Sequence, residues 1–201
     1  MNLVQLASHT VDLDLLPEAP RVLDAGCRDF DFSQAVLKVR PHARIKALDP
    51  GPDIPEPDDP AIMFFRAALV GDDRKRARLF TGSTGHGDFL STLDVYYDMK
   101  PVEVGCLRIG EIAVCDSRDW PAFDLVKLDI EGSEFEILER WPGPIARQIS
   151  VEFHDWNRPE IRDSDYYERL WAKLPWYRVV QHGLSKQGNG VGNWDSLLVL
   201  R

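Results

Sequence analysis

The stretch Val126-Lys127-Leu128-Asp129-Ile130-Glu131-Gly132-Ser133-Glu134-Phe135-Glu136-Ile137-Leu138 decides how this chain is read. An apolar run carrying one lysine stops on two carboxylates and a glycine. A helical segment follows at once, with Glu134 and Glu136 in its first turn, where acids suit the positive end of the helix dipole. Strand, tight turn and helix form the repeating unit of an open α/β sheet, and ligands of such sheets bind just beyond the carboxyl ends of the strands. Asp129 and Glu131 are therefore placed for chemistry.

The same alternation extends in both directions from this stretch. Arg21 to Ala25 reads as a strand ending at Gly26, and Phe32 to Val39 as a helix stopped near Pro41. Ala43 to Leu48 is a second strand ending on Asp49, and Ile62 to Leu69 a third. Between them, Gly51 to Pro60 holds four prolines and four acids, so it is a loop. Downstream, Gln148 to Phe153 reads as a strand and Asp165 to Leu174 as a helix. Trp176 to Gln181 and Trp194 to Leu200 then form an antiparallel hairpin. Residues 79–122 break the pattern as a β-rich insert between the third and fourth core strands, with Val102 to Leu107 and Glu111 to Cys115 as β-runs. Nothing marks a second domain: 1–201 reads as one unit with an N-terminal extension over 1–20.

Composition excludes several classes. Hydrophobic residues at 44% and charged residues at 28% of 201 suit one globular domain. A net charge of -9 argues against a nucleic-acid partner, whose phosphates call for a basic surface. The basic cluster Arg74-Lys75-Arg76-Ala77-Arg78 sits beside Asp72 and Asp73 and reads as a solvated turn. Cys27, Cys106 and Cys115 form no paired or metal-spaced motif, which suits a reducing, cytoplasmic setting. No apolar stretch approaches the length of a membrane span, and the N-terminus lacks the basic region of a signal peptide.

Asp24-Ala25-Gly26 lies between the first strand and first helix, where a doubly wound fold receives an adenosine-containing ligand. Asp49, at the end of the next strand, is placed to accept hydrogen bonds from ribose hydroxyls. A nicotinamide dinucleotide is disfavoured, because Phe30 and Phe32 occupy the region where a G-x-G-x-x-G loop needs small residues. S-adenosylmethionine, with adenosine and no phosphates, fits better.

These residues, together with Val126 to Glu134, Ala67-Ala68-Leu69-Val70-Gly71-Asp72, Ile149 to His154 and Asn193-Trp194, resemble the FkbM-type S-adenosylmethionine-dependent methyltransferases from about Arg21 onward. The first loop departs from the family, which usually has glycine where Phe30 stands and asparagine where Arg28 stands. The resemblance implies a Rossmann-like class I methyltransferase fold. That fold has a mostly parallel seven-stranded sheet, an antiparallel C-terminal edge strand and helices on both faces. It also implies O-methylation of a small molecule, often a sugar or secondary metabolite. Asp24, Gly26 and Cys27 would line the methionine portion of the cofactor, Asp49 would hold the ribose, and Ala67, Ala68 and Leu69 would border the adenine.

Methyl transfer from a sulfonium needs alignment and a base for the acceptor hydroxyl. His154, two residues after Glu152, suits that role. By strand periodicity Glu152 and His154 share one face, as do Lys127, Asp129 and Glu131. Asp129 and Glu152, with Asp155 or Asn157, also form an oxygen set that suits magnesium. Gly82 to Gly87, with His86, has the composition of a closing loop. The alternative reading is a methyltransferase-like domain that binds without catalysing.

Overall fold

A computed structural model describes residues 1–81, 89–90, 100–114, 121–154, 165–184 and 193–201. The chain opens with a hairpin of β1 (Leu3–Leu6) and β2 (His9–Asp12), then enters β3 (Arg21–Ala25), α1 (Asp31–Val39), β4 (Arg44–Leu48) and β5 (Ile62–Phe65). Next come β6 (Ala68–Val70), β7 (Arg76–Thr81), β8 (Phe89–Leu90), β9 (Lys100–Arg108) and α2 (Ile109–Val114). The chain closes with β10 (Phe123–Leu128), α3 (Glu134–Glu139), β11 (Ala146–His154), α4 (Tyr166–Ala172), β12 (Tyr177–Leu184) and β13 (Asn193–Leu200).

The principal sheet has seven strands in the order β12-β13-β11-β10-β3-β4-β5. It is mixed: β11, β10, β3, β4 and β5 run parallel, whereas β13 is antiparallel to both of its neighbours. The antiparallel strand is therefore not the edge, as the sequence suggested. It inserts between β11 and β12, and β12 forms the edge. Composition explains the placement, since Leu197, Leu198 and Val199 of β13 are buried while Val179 of β12 is 39% exposed.

Alternation along the strands splits the core in two. Leu23, Ala25, Val126, Leu128, Ile149 and Val151 face a cluster completed by side chains of α2, α3 and α4. Val22, Ile45, Ala47 and Leu125 face the other cluster, covered by α1 together with the β1–β2 hairpin (Leu6, Val11). The sheet thus has few helices, and the expected helical layers on both faces are replaced in part by a hairpin on the second. Gln148 docks that hairpin: its Oε1 accepts from Asp12 N at 2.9 Å, and its Nε2 donates to Asp12 O at 3.1 Å.

The third predicted strand is two strands. β5 pairs with β4, but the chain turns at Ala67, whose N–H bonds Phe65 O, and β6 joins β9 in a four-stranded sheet ordered β6-β9-β7-β8. Two further expectations change. The basic cluster is solvated but only in part a turn: Arg76 to Arg78 lie in β7, and Arg74, Lys75 and Arg76 pair with Asp72 and Glu136, Glu111, and Glu103 respectively. Residues 111–114 are helical rather than β. Ile109, Ile112 and Ala113 reach the core at helical spacing, and the Glu111 carboxylate accepts from Arg108 N in the manner of a helix-start box. Cys115 lies outside the described residues.

Candidate active site

The order of strands reverses between β3 and β10, and at this switch point the two carboxyl ends lie side by side. Asp129 N bonds Ala25 O at 3.1 Å, and Gly26 N and Cys27 N both donate to Leu48 O. Gly26 has φ +80, and a Cβ there would stand 1.7 Å from the Asp129 carbonyl oxygen. Only glycine lets the two strand ends meet this closely. The turn continues with positive φ at Arg28 (+42) and Phe30 (+64), the two positions at which the loop departs from the pattern it resembles. Glycine and asparagine tolerate this backbone region better than arginine or phenylalanine do. The Phe30 ring is buried and packs edge-on against Phe64 at 5.4 Å.

A cleft of about 1070 Å³ opens over this junction. Gly26, Cys27 and Asp49 border it on the β3–β4 side, Ala68 and Leu69 contribute apolar surface, and Lys127, Asp129 and Glu131 border it on the β10 side. Asp24 is fully buried beneath. Its Oδ2 accepts from Ser33 Oγ at 2.6 Å, and its Oδ1 stands 3.2 Å from Lys127 Nζ. Asp49 braces both flanking loops, accepting from Arg28 N at 3.0 Å and Gly51 N at 2.8 Å. Burial drives the Cys27 thiol well above its ordinary range, and the carboxylates of Asp24 and Asp49 add to the effect. Cys27 is accordingly a neutral wall and no nucleophile.

Lys127 is the hub. Its ammonium donates to Gly26 O at 2.6 Å and lies 3.2 Å from Asp24 and 3.5 Å from Asp129. Burial alone would lower its pKa, but the two carboxylates outweigh burial and raise it. Asp129 shows the reverse balance: burial opposes its charge, and Lys127, His9 and His154 nonetheless hold it below the usual carboxylate range. Glu131, at φ +53, is pushed upward by burial and by the neighbouring acids, against the pull of His154.

His154 is brought to this cluster but not to the cleft wall. It is buried, its Nδ1 lies 3.0 Å from Glu134 Oε1, and its Nε2 faces Glu131 at 3.6 Å, Asp129 at 3.7 Å and Glu152 at 4.0 Å. Burial would depress its pKa, yet these carboxylates, Glu134 foremost, raise it to about 10. At neutral pH it is an imidazolium. Ala67 is buried beside the cleft without bordering it.

Two contributors escaped the reading of the sequence. Glu134, read there as a dipole-favoured acid, is fully buried and accepts from Ile130 N at 2.8 Å and Gly132 N at 2.9 Å. It ties the loop that carries Glu131. The lone signal was its spacing, four residues after Ile130. The other is His9, from β2 in the segment set aside as an extension. It is buried, borders the cleft and places Nε2 3.4 Å from Asp129 Oδ2. No local pattern marks it, because the contact spans 120 residues. Asp155, Trp156, Asn157, His86 and the glycine-rich segment lie outside the described residues. Among the described residues, no helix is long and apolar enough to cross a membrane.

Comparison with known proteins bears on this arrangement. The sequence matches no curated protein. Among solved structures, the chain is similar to the FkbM methyltransferase from Methylobacillus flagellatus KT, with a TM-score of 0.52 at 14% identity, covering 94% of this chain and 46% of that one. It therefore spans about half the length of that relative. It is also similar to the fibrillarin pre-rRNA processing protein of Methanococcus jannaschii, with a TM-score of 0.58 at 10% identity, covering 94% of this chain and 70% of that one. These likenesses concern the fold. The sequence profile of the methyltransferase FkbM domain matches residues 28–183, more than half of the chain and every strand from β4 to β11, so the chain belongs to the FkbM methyltransferase family.

Proposed function

We infer that the protein is an S-adenosylmethionine-dependent methyltransferase acting on a hydroxyl of a small molecule, with a sugar or secondary metabolite as the acceptor class. The observation that carries this reading is the junction of Gly26 with Asp129 at the switch point, opening on a cleft with Asp49 on one side and Asp129 and Glu131 on the other. Gly26 and Cys27 would carry the methionine portion, Asp49 the ribose hydroxyls, and Ala68 and Leu69 the adenine, while Asp24, buried beneath, would hold Lys127 and Ser33 in place. S-adenosylmethionine supplies the electrophilic methyl carbon when bound.

The chain's own residues align the acceptor and take its proton. With the cofactor held by Gly26, Cys27 and Asp49, the cleft would keep the acceptor oxygen in line with the methyl donor. The hydroxyl proton goes to Glu131, which borders the cleft and whose environment raises its basicity. His154 then has a different role from the base suggested by the sequence: as a buried imidazolium bonded to Glu134, it positions Glu131 and Asp129. Glu152 Oε1 lies 4.0 Å from its Nε2. The ring of Phe30 turns onto Phe64 and away from the cleft, which supports the catalytic reading over the binding-only alternative.

Calorimetric titration with S-adenosylhomocysteine tests the cofactor assignment: saturable one-to-one binding is expected, and no heat together with no thermal stabilisation would overturn it. Once an acceptor is found, Glu131→Gln should lower kcat by roughly 10²–10⁴-fold while S-adenosylhomocysteine affinity stays within twofold. A kcat near that of the unmodified protein removes Glu131 as the base.

A further inference from the structure

We propose that His9, Asp129 and Glu152 form a divalent metal site at the floor of the cleft, completed by the N-terminal hairpin. One nitrogen or oxygen from each of the three side chains lies within 4.8 Å of the others. They converge from three strands that local sequence patterns do not connect. Periodicity puts Gln148, Ser150 and Glu152 of β11 on the face that the hairpin covers, the same face to which β10 directs Lys127 and Asp129. His9 enters from above that face. It belongs to a segment outside residues 28–183, the part of the chain that the family profile matches.

Three observations favour a metal over a simple histidine–aspartate contact. His9 Nε2 and Asp129 Oδ2 are 3.4 Å apart, long for a charge-assisted hydrogen bond. With metal–ligand bonds of about 2.0–2.2 Å at tetrahedral angles, adjacent ligand atoms stand about 3.4 Å apart. The second is orientation. His9 Nδ1 faces Ser150 Oγ at 3.5 Å, leaving Nε2 as the ligating nitrogen, the outer-shell arrangement typical of metal-bound imidazole. Charge is the third. Among the described residues, the carboxylates of Asp24, Asp129, Glu131 and Glu134 lie around two cationic groups, Lys127 and His154. A dication offsets most of that excess.

The donor set also selects the ion. One imidazole with two carboxylates suits zinc or manganese, whereas magnesium prefers oxygen ligands and retained waters. This set shares Asp129 and Glu152 with the oxygen set suggested by the sequence, whose Asp155 and Asn157 lie outside the described residues. The metal's part in the reaction, drawing the acceptor oxygen toward Glu131, rests on the methyltransferase reading; its binding does not.

The test uses the full chain stripped of metal by chelator and titrated calorimetrically with zinc, manganese and magnesium salts. One equivalent of zinc should bind at micromolar affinity or tighter and raise Tm, with magnesium at least tenfold weaker. His9→Ala and Glu152→Gln should each weaken zinc binding tenfold or more. Ser150→Ala, which leaves all three ligands and the hairpin in place, should weaken it about 10–100-fold. Absence of saturable zinc binding below 1 mM overturns the site, as does unchanged affinity in a folded His9→Ala or Glu152→Gln protein. S-adenosylhomocysteine titrated into the same samples reports on the methyltransferase reading separately, so that failure of one is not mistaken for failure of the other.

Discussion

Glu134 shows how one side chain organises the site. Its carboxylate takes two backbone N–H groups of the Ile130–Gly132 turn and faces the His154 ring, all without contact with water. Replacing it leaves a buried cation and orphaned donors. Glu134→Gln should cost about 3–5 kcal/mol, the range for breaking a buried ion pair, read by urea unfolding; a loss below about 1 kcal/mol would place this residue among ordinary surface pairs. Arg28 presents the opposite case. It is exposed and held at φ +42, so its side chain gains little from a backbone that disfavours it. Arg28→Gly should raise stability by about 0.5–1 kcal/mol, the strain relieved less the extra chain entropy of glycine, whereas Arg28→Ala should not.

Among the elements, the C-terminal hairpin illustrates what sequence pattern can and cannot convey. Two β-runs around a glycine-rich turn announce an antiparallel pair, but which of the two abuts the parallel strands depends on burial of both faces. The junction is held by Tyr177 at the start of β12. Its hydroxyl donates to Ala146 O at 3.0 Å and accepts from Ala146 N at 3.2 Å and Trp141 Nε1 at 3.3 Å, fastening β12 to the start of β11. Tyr177→Phe strands these buried groups and should cost about 2–3 kcal/mol, measured as a shift in the urea midpoint with unchanged m-value. The helix α2 makes a related point. Its Ile-rich composition reads as β, and only docking of Ile109 and Ile112 against the sheet shows the helical period.

For the whole molecule, the second sheet and the principal one are joined through charge. Asp72, in the turn between β6 and β7, pairs with Arg74 at 2.6 Å and Arg140 at 3.6 Å, and Arg74 reaches Glu136 of α3 at 2.9 Å. The turn sits so close to α3 that a Cβ on Gly71 would meet Glu136 O at 2.6 Å. The hydrogen bond from Arg74 holds the Asp72 carboxyl at about 2, against an ordinary value of 3.8. A depressed carboxyl binds fewer protons folded than unfolded, so its stabilisation is full above the ordinary value and is lost as pH falls toward about 2. The network is partly exposed, so Asp72→Asn should cost only about 0.5–1 kcal/mol near neutral pH. That difference should narrow in unfolding curves recorded below about pH 4; a difference independent of pH would exclude the pairing.

The sequence by itself determined the strand–turn–helix units, the glycine at the first turn, the acids at three strand ends and the family they resemble. Each is legible because it is local: a period of two, a helix start, a residue that only one backbone geometry allows. Tertiary structure alone decided the insertion of β13, the split of the third strand, the capture of His154 as a buried cation and the arrival of His9 beside Asp129. Those depend on which surfaces exclude water together and on charges brought close from distant parts of the chain. No short window of sequence contains that information, because burial and Coulomb energy belong to neighbours in space.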